Sequence, residues 1–285
     1  LAGANGRYIE MDYQETQYYG DLMMMMKKQW NAFSVDGTLG VSINDKTVNS
    51  IRYDSKTASL KYANVFNLAN IIMNGSAALD QRIDARRQLQ SLFATVQVGY
   101  KEGIYVDLTA RNDWSSTLAY TAHEKCGFFY PSVGASVLLN KLVTLPEWIS
   151  LAKVRGAYSM VGNDIPMFIT NPSAHITAGG EYMASDAAPF KDMEPEMTNS
   201  VEAGIEARFL KGRIGLNATF YKTNTHNQFF KLPTLSGDKY AYRYVNAGNI
   251  QNRGWEVSLD AVPVLTTGFK WKTDLNFSSN RNKII

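Results

Sequence analysis

Three histidines, His123, His175 and His226, and one cysteine, Cys126, are the side chains of this 285-residue chain best suited to proton transfer, nucleophilic attack or metal ligation at neutral pH. In His123-Glu-Lys-Cys126 two soft ligands stand at the spacing of half a zinc site. A tetrahedral ion needs a second pair, and no second ligand lies at helical or strand spacing from any of the three histidines. All three histidines are expected in loops. Ser115 and Ser116 follow Trp114 without the strand, sharp turn and helix that would expose a serine as a nucleophile, and they read as hydrogen-bonding residues at a strand end. Gly179-Gly180 is not followed by Lys-Ser or Lys-Thr, so it builds no phosphate cradle. Loop Asn and Asp residues show no EF-hand spacing for calcium. No catalytic, cofactor or metal residue is therefore assigned, and the chain is not expected to be an enzyme.

The remaining candidates are binding groups. Asp107, Arg111, Glu202, Glu206, Arg208, Glu256 and Asp260 recur at alternate positions and could line a solute path; the plainer and favoured reading is that they pair with one another or with a second domain. Tyr182, Phe190, Tyr240, Tyr242 and Tyr244 could stack on sugar rings or pack on peptide side chains, although such residues more often hold long loops together. The substrate-binding residues themselves stay unknown at this stage. The 29 Lys+Arg against 26 Asp+Glu leave a net charge of +3 with no basic run, too little to argue for polyanion binding; nucleic acid is not an expected partner. A single cysteine leaves no intrachain disulfide framework.

What must position these groups is β-structure. The chain is long enough for two average domains or one large all-β unit, and its composition, 45% hydrophobic and 19% charged, is that of a folded chain. Aromatics at 12% and 21 dispersed glycines favour pleated structure. Ala94, Val96, Val98 and Tyr100 alternate with Thr95, Gln97 and Gly99; after Lys101-Glu-Gly103, Ile104, Val106, Leu108 and Ala110 alternate with Tyr105, Asp107, Thr109 and Arg111. That is a period of two across a hairpin turn. The same pattern marks strands over 33–43, 201–209, 214–221, 255–261 and 269–277. Two softer strands lie over 129–140, with Leu138 on the wrong face, and 151–162, where Lys153 and Arg155 share a face with Leu151 and Val161. Weaker strands are expected near 5–20, 48–62 and 240–250. The apolar run Leu22 to Met26 stops at Lys27, and nowhere do about 18 apolar residues follow one another, so no transmembrane helix is expected.

Connections alternate in length. Short links at 101–103, 140–150, 210–212 and 263–268 trade places with long polar ones at 112–128, 163–199 and 224–252. Outer-membrane barrels are built this way, with tight periplasmic turns and long extracellular loops. Tyr100, Phe129, Phe209, Phe220, Trp255, Phe269 and Trp271 gather at the ends of the apolar rows, as interfacial girdles do. The opposite faces carry too many full charges for a dry core, since each unpaired buried carboxylate costs several kcal/mol. An antiparallel transmembrane β-barrel, apolar toward lipid and wet inside, satisfies both faces.

Five ordered segments carry a resemblance: Asp107-Leu-Thr-Ala-Arg-Asn-Asp-Trp-Ser-Ser-Thr-Leu118, Phe129-Tyr-Pro-Ser-Val-Gly134, Val154-Arg-Gly-Ala-Tyr158 with Val161-Gly-Asn163, Thr198-Asn-Ser-Val-Glu-Ala-Gly204, and Asn246-Ala-Gly-Asn-Ile-Gln-Asn-Arg-Gly-Trp-Glu256. Together, from about Asn31 to Ile285, they resemble the barrel of SusC/RagA-type TonB-dependent transporters. The resemblance implies import of oligosaccharide or peptide fragments across the outer membrane of a Bacteroidetes-type bacterium. It further implies delivery by a SusD-like surface lipoprotein and energy supplied by TonB. The plug domain and TonB box of that family are not found in the sequence. Residues 1–285 are thus expected to form one part of a barrel domain with no second domain, some 11 or 12 strands of about 22. The start at Leu1, without methionine or signal peptide, is read as a processed or excised chain. Two other classes stay open, a soluble or surface β-rich binding or adhesion module and an outer-membrane barrel enzyme. The sandwich alternative requires Val96, Ile205 and Leu259 to be sealed between two layers.

Overall fold

The computed structural model describes residues 5–55, 60–72, 78–176 and 182–285. Its strands are β1 (Ile9–Trp30), β2 (Phe33–Asp54), β3 (Ala78–Tyr100), β4 (Ile104–Ser115), β5 (Phe128–Leu138), β6 (Ile149–Asn163), β7 (His175–Ile176), β8 (Tyr182–Met183), β9 (Glu196–Phe209), β10 (Ile214–His226), β11 (Phe229–Pro233), β12 (Tyr242–Asn246), β13 (Asn249–Leu265) and β14 (Lys270–Ile284). Among the described residues ten of them form one antiparallel sheet in the order β1-β2-β3-β4-β5-β6-β9-β10-β13-β14. The pairs β7-β8 and β11-β12 are separate two-stranded ribbons. The main sheet thus has ten strands where eleven or twelve were expected. One four-residue α-helix, Leu139–Leu142, sits in the link before β6; no described helix is long and apolar enough to cross a membrane, which says nothing of strands.

At one end of the sheet the turns are tight. The link between β1 and β2 is Asn31-Ala32, with Asn31 at φ 49°; Lys101 and Glu102 take φ 50° before Gly103, and Leu210 and Lys211 take φ 53° and 57° before Gly212 at 83°. Positive φ matches the turn twist to that of the strands, and outside Gly212 it is adopted here by residues with a Cβ. At the other end the connections 55–77, 116–127, 164–195 and 227–248 are long.

Register runs the alternation straight across the strands. Val154, Ile205, Ala218, Val257 and Phe277 form one cross-strand row, and Lys153, Glu206, Asn217, Ser258 and Asn276 form the neighbouring row on the other face. Lys153 and Arg155 therefore belong to the charged face. Among the described residues no second sheet covers the apolar face: Val96, Ile205 and Leu259 are 38%, 47% and 37% exposed. A sandwich would have buried all three, so the sheet-on-sheet alternative fails on its own criterion.

Three expectations need correction. The weak strand near 5–20 is the first part of β1, which continues through Leu22–Met26 to Trp30. The segments 33–43 and 48–62 are not two strands, because β2 runs unbroken to Asp54 and pairs with β1 along its whole length. Near 240–250, Tyr242–Asn246 joins Phe229–Pro233 in a ribbon rather than the main sheet. Strand lengths are also uneven: β1, β2 and β3 have 22, 22 and 23 residues, whereas β4 and β5 have 12 and 11.

The buried cores lie in the long connections. Leu118, Phe128, Ile165, Ile169, Phe190 and Met193 pack together with Tyr130, Phe229 and Tyr244 against them. Leu60 and Ile71 form a second cluster with Tyr8 and Tyr53. Phe128 lies opposite Asp113 and Tyr130 opposite Arg111, so the larger cluster rests on the charged face of the sheet.

Candidate solute face and its loop cluster

Alternation puts every second side chain of β3 to β14 on the charged face, and most of the charges there meet a partner. Arg111 donates from Nε to Asp113 at 2.8 Å and from Nη2 to Ser91 Oγ at 2.7 Å, with its guanidinium 5.7 Å from the Phe93 ring centre. Tyr130 donates its hydroxyl to the same Asp113 at 2.6 Å. Asp107 accepts from Gln97 at 2.6 Å. Arg208 lies 3.4 Å from Asp260, and Arg155 lies 3.5 Å from Glu202 while donating to Thr219 at 2.7 Å. Glu206 and Glu256 make no ion pair among the described residues, and Glu256, with Arg155, Asn217 and Thr219, borders a shallow polar hollow. Mutual pairing therefore accounts for Arg111, Glu202, Arg208 and Asp260, and leaves Glu206 and Glu256 as open acceptors toward water or solute.

The loops are tied to this face by a carboxylate that sequence reasoning did not single out. Asp164, just past β6, accepts from Arg87 Nε at 2.8 Å, Ser115 Oγ at 2.6 Å and the Thr117 hydroxyl, and from the Ile165 amide at 2.8 Å. Its side chain is almost fully buried. Ser115 also accepts from the Thr117 amide at the start of a 3-10 turn, and Ser116 Oγ accepts from the Gln88 amide at 2.9 Å. Both serines hold the end of β4. Asp164 directly follows Val161-Gly-Asn163 and meets the end of Trp114-Ser-Ser-Thr117, two of the segments that carry the family resemblance, and that adjacency is the sequence signal for it. At the far edge Arg7 clamps Asp54 with bonds of 2.8 and 2.6 Å, and Arg52 adds another at 2.8 Å. The hydrogen bond to Asp54 raises the Arg7 pKa above its usual value.

The three histidines lie in three different elements. His123 lies in the turn after Leu118, with its Nδ1 4.0 Å from Cys126 Sγ; His175 is in the β7-β8 ribbon. His226 is not in a loop as expected, but is the last residue of β10, opposite Met197 and Asn249. Among the described residues no three His, Cys, Asp or Glu side chains gather as metal ligands do. Gly179 and Gly180 lie outside the described residues. Of the loop aromatics, Phe190 is in the buried cluster. Tyr242 and Tyr244 meet edge to face at 5.9 Å, and Lys231 Nζ sits 3.4 Å over the Tyr242 ring. Lys239 lies over Tyr240 at 5.2 Å. Tyr182 differs from these in being 73% exposed.

Comparison with known proteins agrees with this geometry. The family described as TonB dependent receptor-like, beta-barrel matches residues 2–283. TonB-dependent receptor P26 of Formosa agariphila is 27% identical over 207 residues, covering 70% of this chain and 21% of that protein. TonB-dependent receptor SusC of Bacteroides thetaiotaomicron is 29% identical over 132 residues, 44% of this chain and 13% of its own length. Among solved structures, the RagAB peptide transporter superposes with a TM-score of 0.78 at 19% identity, over 97% of this chain and 31% of that one, a likeness of fold. The chain spans about a fifth of the length of the Formosa relatives it matches. With one face of the sheet apolar and uncovered, the other charged and loop-bearing, and the match running over almost every residue, this chain belongs to the TonB-dependent receptor β-barrel family.

Proposed function

We propose that residues 1–285 form part of the wall of an outer-membrane TonB-dependent transporter of the SusC/RagA type, importing oligosaccharide or peptide fragments. One observation carries this reading: a single sheet whose apolar face is left open while its charged face carries the folded loops. Hydrocarbon tolerates the first face, and water in a lumen tolerates the second. The apolar row on β9 runs from Phe209 to Val201. Eight steps at about 3.3 Å make about 26 Å of strand, or about 20 Å of height at a tilt of about 40°, close to the ~25 Å band of such barrels. The tight turns then face the periplasm and the long connections face outward.

In this reading the wall does no bond making. Glu206, Glu256 and exposed Tyr182 are the groups left to meet solute, loops held at Asp164 shape the entrance, and TonB acting on a plug domain opens the path. A SusD-like lipoprotein delivers the fragments. The names of SusC and of the RagAB peptide transporter support this assignment. The test is the full-length protein in its own cells. It should extract from outer membranes only with detergent and migrate differently before and after boiling, and its deletion should abolish uptake of a labelled oligosaccharide or peptide pool. Release without detergent would end the membrane reading; normal uptake in the deletion strain would end the transport reading.

A further inference from the structure

On three strands the outward face ends in aromatics and then in cations, in register with Val201 at the top of the β9 row. On β10, β13 and β14 the outward residues past Phe220 and Trp255 are Lys222, Arg253 and Arg281, with Lys283 one step higher. Register sets Lys222 directly opposite Arg253, and Arg253 directly opposite Arg281. All three are exposed, and none has an ion-pair partner among the described residues. Directly opposed like charges repel, and an anion from outside the wall would relieve that repulsion. The wall does not supply one: Glu196, Glu202, Glu206, Glu256, Asp260 and Asp274, the carboxylates of β9, β13 and β14, all fall on the alternate, lumen-facing positions. The contrast on β2 and β3 is direct, because there the outward-facing Asp45 is paired with Arg86.

We propose that Lys222, Arg253 and Arg281 bind the phosphate of a phosphorylated glycolipid in the outer leaflet. The inference rests on the reading that the apolar face touches lipid. Height selects this occupant. The row begins one alternation above the ring pair Phe220–Trp255, whose centres are 4.8 Å apart, and aromatic belts mark headgroup level. Acyl chains can lie along Val257, Leu275 and Phe277 while the phosphate meets two guanidinium forks and an ammonium.

The test uses the full-length protein, purified in mild detergent, with Lys222→Gln/Arg253→Gln/Arg281→Gln beside the parent. Binding of diphosphoryl lipid A, of dephosphorylated lipid A and of inorganic phosphate is read by native mass spectrometry. Expected are at least tenfold weaker lipid A binding by the triple variant, equally weak binding of the dephosphorylated probe by the parent, partial recovery in Arg253→Lys set into the triple variant, and no displacement by millimolar phosphate. Unchanged lipid A binding in the triple variant overturns the proposal, as does undiminished binding of the dephosphorylated probe. Full displacement by inorganic phosphate would make it a free-anion site and overturns it too. Should the triple variant not fold, Arg253→Gln alone should weaken binding severalfold, and no change there counts against the proposal. Heat-modifiable migration is scored separately, so a folded barrel that ignores lipid A refutes this inference and leaves the membrane reading standing.

Discussion

Arginine placed at position 205 should be far more damaging than arginine placed at position 217, although the two sites lie on paired strands one register step apart. Ile205 is at the centre of the outward row, four residues from Phe209 at the turn end and four from Val201. That is about 10 Å of height from either edge at a tilt of about 40°. A cation on the lipid face costs about 2–4 kcal/mol at the midplane and falls to about 0–1 near the interfaces. Ile205→Arg should therefore lose about 2–4 kcal/mol. Ala261→Arg, outward but opposite Ile214 beside the turns, should lose no more than about 1 kcal/mol. Asn217→Arg points inward and faces Glu206 in register, so its cost should stay within about 0.5 kcal/mol. The assay is equilibrium unfolding of the full-length protein in phospholipid vesicles, followed by tryptophan fluorescence, with heat-modifiable migration as the check on folding. Equal losses at 205 and 217, or a larger loss at 217, would refute the assignment of faces.

Four further outcomes follow from the loops and turns. Asp164→Asn removes the charge that Arg87 needs; with Arg87 partly exposed the cost should be about 1–3 kcal/mol, seen as faster proteolysis within 164–195 in a barrel that still shows heat-modifiable migration. Gly127 has φ +63° and an added Cβ would fall 2.1 Å from the Asp113 carbonyl oxygen, whereas Gly212 has φ +83° with open space around it; Gly127→Ala should thus reduce folded yield well beyond Gly212→Ala, whose cost is about 1 kcal/mol of left-handed strain. Phe190→Ala should cost about 3 kcal/mol of loop stability, measured by local hydrogen exchange. Tyr182→Ala should leave stability unchanged and raise the apparent KM for uptake if its exposed ring stacks on solute.

The strands that could be read from sequence are those whose two faces meet different solvents along their whole length. In β3, β4, β9, β10, β13 and β14 the period of two is nearly unbroken, and register confirms which side each residue takes. β1 hid its period because Met23 and Met25 place apolar side chains on the charged face beside Leu22, Met24 and Met26 on the other. β2 looked like two strands for a different reason: its outward residues change from Leu39, Val41 and Ile43 to Asp45 and Thr47 while the backbone continues. The surroundings changed there, not the fold. Within the site, the alternating charges were legible as a face but not as pairs. Arg87, Ser115 and Thr117 meet Asp164 across separations of 77, 49 and 47 residues, a convergence that loop closure creates and periodicity does not encode.

The unequal strand lengths carry a mechanical consequence. β2 at 22 residues rises about 55 Å at a tilt of about 40°, roughly twice the apolar band, so its upper half is bathed by water on both sides. Up there cohesion comes from ladder hydrogen bonds and a few cross-strand links, Lys46 to Glu15 at 2.8 Å, Gln17 to Asn44 at 3.0 Å, and Arg86 with Gln88 on Asp45. Ions screen such links, while they leave the hydrocarbon-clad lower half untouched. The molecule is thus a stiff foot bearing a compliant crest, and high ionic strength should let the crest breathe without loosening the foot.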